Sequence, residues 1–326
     1  MKLQVPFLQL PLRFDADRVA QEIAALGEDV WRPHPQGYAG NSALPLIAAH
    51  GNANSDAVRG PMRATEHLER CPYLQQVLHS LGAVLGRSRL MRLAGQAEVT
   101  PHVDIDYYWR EHVRVHLPVV TQPEVQFHCG GEVTHMAAGD CWIFDTWRNH
   151  KVINSADRAR IHIVADTVGG PGFWPLLGAA RTHDRSPPGW QARFIAPDAS
   201  ADRSLRLESV NLPTVMSPWE VREHLGFVLS EAAPDPRLPA VNALVGRFTR
   251  HWQSLWALWG ESPEGFPEYH QARAEFVGEL RHIGEGMLLR NGIFLVRAMI
   301  KLCASVALAE GPGPVADERS SESAAA

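Results

Sequence analysis

The sequence predicts a chain in two parts: a mainly β domain of sandwich, barrel or jelly-roll type with helices ahead of it, then an α-helical domain. Three observations carry this. Between Ser88 and Val168 apolar residues alternate with polar ones in short runs divided by turn signals. After Leu212 the apolar pattern takes the helical period. The chain has 326 residues, enough for two domains, and its 45% hydrophobic and 21% charged content is ordinary for a globular protein.

The elements follow in order. The chain opens on an apolar strand-like run. DADRVAQEIAALGED then reads as a helix capped by Asp15 or Asp17, with Val19, Ile23 and Leu26 on one face. Residues 31–63 are rich in Pro, Gly and Asn and suit long loops with short strands. CPYLQQVLHSLGAVLG reads as a helix with Leu74, Val77, Leu78, Leu81 and Leu85 inward. SRLMRLA, HVRVHLPVV, EVQFHC, CWIFDTW and RIHIVADTV are strands, separated by the turns CGGE, AAGD and NSADR. Many short strands at this spacing predict the sandwich, barrel or jelly roll. Residues 169–203 hold many Gly and Pro and a charged stretch, as a connection would. SPWEVREHLGFVLSEA starts a helix at Ser217–Pro218, with Glu220 placed to complete a cap, and two longer helical stretches follow. The expected organisation is a β domain over residues 1–170, a connection over 171–211, a helical domain over 212–310 and a disordered tail over 311–326.

Composition narrows the function classes. A net charge of -5 and the lack of a basic run argue against binding nucleic acid by phosphate neutralisation. The start, MKLQVPFLQLPLRFDADRV, makes a poor signal peptide. The nearest approach to a membrane span, Gly292 to Ala309, is interrupted by Arg297 and Lys301 and reads as a buried amphipathic helix. Four scattered cysteines (Cys71, Cys129, Cys141, Cys303) form no C-x-x-C pair, so reduced thiols in a cytoplasm are expected and a structural zinc site is not. The expected partner is a small molecule or a peptide, with no nucleic acid and no membrane. The apolar faces of the helical domain fit either packing on the β domain or a homodimer.

The chemistry lies between Pro101 and Asp166. His102 and Asp104 are two apart, so on a strand both point to one face. An imidazole and a carboxylate side by side can bind one divalent cation, and His150 is the natural third ligand. Two imidazoles and a carboxylate form the facial triad of non-haem Fe(II), with positions left open for substrates. Taken alone the three residues also allow zinc, or chance among 16 histidines. Arg160, His162 and Val164 share a strand face, as do Arg114 and His116 opposite Val113, Val115 and Leu117. A guanidinium facing a barrel interior is costly unless it meets a carboxylate, and a bound dicarboxylate would supply one. Trp109, Trp142 and Trp147 read as packing residues. Arg92, Arg110 and Arg148 are candidate partners for a substrate carboxylate, each with a solvated arginine as the plainer reading.

The stripe resembles the aspartyl/asparaginyl β-hydroxylase superfamily of Fe(II)/2-oxoglutarate-dependent oxygenases. The residues that carry the resemblance are His102–Val103–Asp104, Arg114–Val115–His116–Leu117, Gly139 to Asp145, His150 to Asn154, and Arg160. Within it, FHCGGEVTHMAAGDCWIFD is similar to the bacterial free-proline hydroxylases, which also carry a helical C-terminal domain. The likeness covers roughly residues 20–168. It implies a double-stranded β-helix (jelly roll, cupin-like) core with N-terminal helices. It implies Fe(II) on His102, Asp104 and His150, with O2 and 2-oxoglutarate as co-substrates. The distal carboxylate of 2-oxoglutarate would lie on Arg160, helped by Arg114 and His116, with His135 a further candidate for that pocket. Mammalian-type members lack the triad carboxylate; Asp104 keeps it. Asp145 and Asn154 recur in the pattern and read as structural. The implied reaction hydroxylates an unactivated C–H of an amino acid or a residue in a peptide and releases succinate and CO2. Two other classes stay open: a non-catalytic cupin-like metal-binding or sensor protein with a helical interaction domain, and a zinc hydrolase.

Overall fold

The computed structural model describes residues 2–34 and 37–309. The tail expected over 311–326 lies outside them. The described residues form two compact units. One holds the chain up to His102 together with Glu111–Asn211, the other Val103–Arg110 together with the chain from Leu212 on.

The elements begin with β1 (Phe7–Phe14), α1 (Ala16–Ala24), β2 (Arg32–Pro33), β3 (Asn41–Ala49), β4 (Met62–Ala64), α2 (Glu66–Glu69) and α3 (Pro72–His79). Then come β5 (Val84–Leu93), β6 (Ala97–His102), α4 (Tyr107–Glu111), β7 (Val113–Val120), β8 (Val125–Cys129) and β9 (Glu132–Thr134). β10 (Asp140–Phe144), β11 (His150–Asn154), β12 (Arg160–Gly169), α5 (Phe173–Gly178), β13 (Arg181–Thr182), β14 (Arg193–Ile195) and β15 (Arg206–Leu207) follow, and all of these but α4 belong to the first unit. The second unit continues through α6 (Pro218–Ser230), α7 (Leu238–Trp259), α8 (Phe266–Ile283) and α9 (Leu295–Met299), closing on a π-helical turn at Ile300–Ala304.

The first unit is mixed α/β with large, mainly antiparallel sheets. Among the described residues, eleven strands form one sheet on the path β13-β1-β10-β7-β12-β5-β3-β2, with β14 beside β1, β15 beside β5 and β4 beside β3. Four form the other, in the order β6-β11-β8-β9. Alternation along the strands sorts the core. Val113, Val115, Leu117 and Val119 of β7, with Ile163 and Ala165 of β12, face one apolar layer, which also takes in Val19 and Ile23 of α1 and Leu74, Val77 and Leu78 of α3. These helices therefore cover the outer face of the large sheet. The alternate residues face a second cluster shared by both sheets, with Phe7, Leu93, Phe127, Trp142, Phe144 and Val152.

Three segments depart from expectation. Asn41–Ala49 is a nine-residue strand, not a loop, and is buried along nearly its whole length; a strand covered on both faces carries no alternation. The helix expected through Leu85 stops at His79, because Gly82 takes a left-handed φ of +59° and a Cβ there would meet Gly172 Cα at 2.8 Å. Leu85 lies in β5 instead. Residues 171–211 are not a bare connection: β13 and β14 pair with β1, and β15 pairs with β5.

Asp15 caps α1, accepting from Arg18 N at 2.9 Å. In the helical unit Ser217 and Glu220 form a complete capping box at the start of α6. Its core stacks Phe248 on Phe276 at 4.2 Å, and the buried Trp252 donates to the Met216 carbonyl at 2.8 Å. Ser217→Ala is expected to destabilise this unit by about 1 kcal/mol, the usual worth of an N-cap hydroxyl. Urea unfolding followed by tryptophan fluorescence reads it, and an unchanged midpoint would refute it. No described helix is long and apolar enough to cross a membrane.

Candidate functional site

A cavity in the first unit is lined from both sheets. β5 contributes Arg89 and Met91, β7 Arg114 and His116, β10 Phe144, and β12 Arg160 and Val164. The small sheet contributes Val99 and His102 from β6, Phe127 from β8, and His150 and Val152 from β11. A larger cleft of about 720 Å³ lies in the helical unit, along Arg281, Phe294 and Arg297, but no cluster of metal-binding side chains accompanies it among the described residues.

Such a cluster does stand at the first cavity. One ligand atom each from His102, Asp104 and His150 lies within 4.8 Å of the others. Strand pairing explains the histidines: His102 ends β6, His150 begins β11, and the two are direct cross-strand partners with ring centroids 4.1 Å apart. Each ring is oriented by its own backbone. His102 Nδ1 donates to the Thr100 carbonyl at 2.7 Å, and His150 Nδ1 donates to the Arg148 carbonyl at 2.9 Å. A carbonyl only accepts, so both protons sit on Nδ1 and each Nε2 keeps its lone pair for a metal. Burial, then the neighbouring His102, holds the His150 imidazole well below its usual pKa, so it is neutral at physiological pH. Two neutral imidazoles and a carboxylate are a donor set that suits a divalent transition metal.

The large sheet supplies positive charge. Arg160 is 5% exposed, and burial lowers its guanidinium to about 10, still charged at neutral pH. Its Nε and Nη1 have no hydrogen-bond partner among the described residues. A buried cation in that condition calls for an anion. Arg114 differs: its Nε donates to Asp166 Oδ1 at 3.3 Å, so a carboxylate of the protein already answers it. His116 lines the same wall, with neither ring nitrogen hydrogen-bonded among the described residues. Burial, then Arg114 and Arg160, keeps it neutral. His162 stacks on Phe127 at 5.2 Å, and the Phe127 ring also lies 5.5 Å from the Arg160 guanidinium.

The remaining candidates fall as follows. His135 is half-buried, with Nδ1 donating to the Val125 carbonyl at 3.0 Å, and is not among the residues lining the cavity. Asp145 is fully buried and accepts from Trp147 N at 3.0 Å and Arg148 Nε at 2.9 Å, bracing the turn that leads to His150. Asn154 donates to the carbonyls of Leu93, Ala94 and Arg158 and accepts from Ala156 N, tying off the turn before β12. Trp109, Trp142 and Trp147 are all buried. The three arginines considered for a substrate carboxylate are engaged elsewhere: Arg92 with Glu28 at 2.6 Å, Arg110 with Glu223 at 3.1 Å, Arg148 with Asp145 at 2.9 Å. Arg89, Phe127 and Phe144 line the cavity without having been singled out in the sequence. The one signal for Arg89 was the alternation of SRLMRLA, which puts it on the face opposite Leu90.

Several known proteins are similar to part of this chain. L-proline cis-3-hydroxylase 1 from a Streptomyces species is 27% identical over 170 residues, 48% of this chain and 57% of that protein. The chain thus spans little more than half the length of that relative. Among solved structures, a Pseudomonas putida prolyl-4-hydroxylase overlaps 50% of this chain and 92% of its own, at 17% identity and a TM-score of 0.35. HygX from Streptomyces hygroscopicus, solved with nickel, 2-oxoglutarate and hygromycin B, overlaps 51% and 83% at 11% identity and a TM-score of 0.33. Overlaps this loose do not decide a fold. The family model described as aspartyl/asparaginyl beta-hydroxylase matches residues 16–169, the segment that contains every residue of the site. Over that segment, a little under half of the chain, the sequence is similar to the aspartyl/asparaginyl β-hydroxylase family.

Proposed function

We propose that this protein is an Fe(II)/2-oxoglutarate-dependent dioxygenase that hydroxylates an unactivated C–H of an amino acid, or of an amino-acid residue in a peptide. The observation that carries the reading is Arg160: a buried guanidinium with two donors unmet among the described residues, in the same cavity as two histidines of a His/Asp/His cluster. A metal alone gives that cation no purpose. A chelating dicarboxylate does, because one end reaches the metal and the other the arginine. The same observation weighs against a cupin-like binding module or a zinc hydrolase, since neither requires it.

His102, Asp104 and His150 would hold Fe(II), with their Nδ1–carbonyl bonds fixing the imidazoles. Arg160 would take the distal carboxylate, with His116 beside it as a neutral donor. Phe127, Phe144, Val99 and Val152 keep the cavity apolar and limit water. When bound, Fe(II), 2-oxoglutarate and O2 supply the oxidising chemistry, with succinate and CO2 as co-products. The two sheets read as the halves of a double-stranded β-helix, with the oxygenase in the first unit. The proline hydroxylase relative makes a free amino acid the first substrate class to test.

Anaerobic protein given Fe(II) and 2-oxoglutarate is expected to show the weak visible charge-transfer band of such chelates. Succinate formation, screened against free amino acids and then peptides, identifies the substrate. Protein that binds no 2-oxoglutarate and forms no succinate with any of them would overturn the reading.

A further inference from the structure

The cleft of about 720 Å³ in the helical unit is lined by residues between Gly278 and Lys301, so it belongs to that unit alone. Glycines open it. Gly284 caps the C-terminus of α8, and a Cβ there would meet Val296 Cγ2 at 2.7 Å, so glycine lets α9 approach this closely. Gly278 stands inside α8, where glycine costs helix stability relative to alanine. A Cβ at Gly278 would meet nothing within 4 Å, so close packing does not account for this residue. Its bare backbone widens the cleft.

The other wall carries two kinds of side chain. Val296 and Ile300 are four residues apart and share one face, as do Arg297 and Lys301. Phe294, a large apolar side chain left 40% exposed, adds to the apolar surface. Arg281 and His282 come from the last turn of α8. A cation at a helix C-terminus is ordinary by itself. The gathering of charge here is local, however. Residues 212–309 carry nine Arg and Lys against ten Asp and Glu, yet the cleft takes three of those cations and one carboxylate, Glu285. Lys301 is met by Asp106 at 3.6 Å, which leaves Arg281 and Arg297 as the main sources of positive charge on the cleft.

We propose that this cleft binds a long-chain carboxylate, a fatty-acid-like molecule, with its chain along Phe294, Val296 and Ile300 and its head group on Arg281 and Arg297. The volume lies within the range of small-ligand sites, about 300–1,000 Å³. Basic surface alone would suit a phosphate, and apolar surface alone a neutral chain. The two side by side match a molecule with one anionic and one apolar end. The site is separate from the His/Asp/His cluster and does not depend on the oxygenase reading.

Calorimetric titration of the full-length protein with decanoate, dodecanoate and dodecanol, all kept below micelle formation, tests this. Dodecanoate should bind saturably and about tenfold more tightly than decanoate, since each buried methylene adds roughly threefold. Dodecanol, which lacks the charge, should bind about fivefold more weakly than dodecanoate. Gly278→Leu fills the cleft while favouring the helix, so thermal stability should not fall. Its dodecanoate affinity should drop at least about tenfold, the loss expected when about two methylenes are displaced. Arg281→Glu should weaken dodecanoate about fivefold and leave dodecanol unchanged. The proposal is overturned if dodecanoate does not saturate, if decanoate or dodecanol binds equally well, or if both variants bind dodecanoate like the parent. It is overturned as well if the protein ignores dodecanoate but cosediments with phosphatidylglycerol vesicles, or forms a dimer that Phe294→Ser dissociates. In those cases a lipid surface or a second copy covers the cleft.

Discussion

Asp104→Asn protein is expected to keep its fold and lose at least about 100-fold in Fe(II) affinity. The estimate starts from outer-shell changes at metal sites, which already cost about 10–100-fold; a direct ligand lost must cost no less. The substitution keeps the shape of the side chain and removes its charge. Asp104 is 4% exposed, so in the metal-free state a neutral amide is at least as easily buried as a carboxylate. Thermal unfolding of the apoprotein should therefore be unchanged or slightly raised while metal binding collapses. Anaerobic calorimetric titration reads the affinity. Parent-like binding by the variant would mean that the metal sits elsewhere.

Arg160→Met should produce the same pair of effects on a different ligand. Burial lowers the guanidinium from 12.5 to about 10. At 1.36 kcal/mol per unit this is a cost of about 3 kcal/mol for keeping the charge inside. The sign follows from the direction: a lowered cationic pKa penalises the folded state at every pH below the folded value, so the cost is fully present at neutral pH. Methionine fills similar space without it. The variant without 2-oxoglutarate should thus be more stable than the parent, by an amount of that order. Its 2-oxoglutarate affinity should fall about 100-fold or more, since two charge-assisted hydrogen bonds are lost at about 1.5–3 kcal/mol each. Fe(II) affinity should not change. Pyruvate, which has no distal carboxylate, should bind parent and variant alike. Equal losses for pyruvate and 2-oxoglutarate would place Arg160 away from the distal carboxylate.

The parts of the chain that could be read from sequence are those where one residue type could sit on only one side. In β7 and β12, charged and imidazole side chains alternate with Val, Ile and Leu, and the structure keeps the two sets apart: Val115, Leu117 and Ile163 in the outer core, Arg114, His116 and Arg160 on the cavity. Where both faces are buried that signal disappears, and Asn41–Ala49, with Pro45 in its middle, looked like loop. β13, β14 and β15 are two or three residues each and exist through pairing with β1 and β5, so no local pattern could announce them. The same limit applies to the site. His102, Asp104, His150 and Arg160 stood out by type and spacing. Phe127 and Phe144 are ordinary strand aromatics until the topology brings β8 and β10 to one hollow. The pairing of Arg110 could not be read at all, because its partners Glu223 and Phe227 lie more than 100 residues away.

The strict alternation across β7 and β12 has a practical side. On these two strands the side chains of the outer core and those on the cavity lie on opposite faces. Met91, Val99, Val152 and Val164 are the non-aromatic apolar members of the cavity wall and stand outside the outer core cluster. Saturation libraries at these four positions would therefore reshape the cavity while leaving the outer core intact, so its ligand preference can be varied without rebuilding the fold.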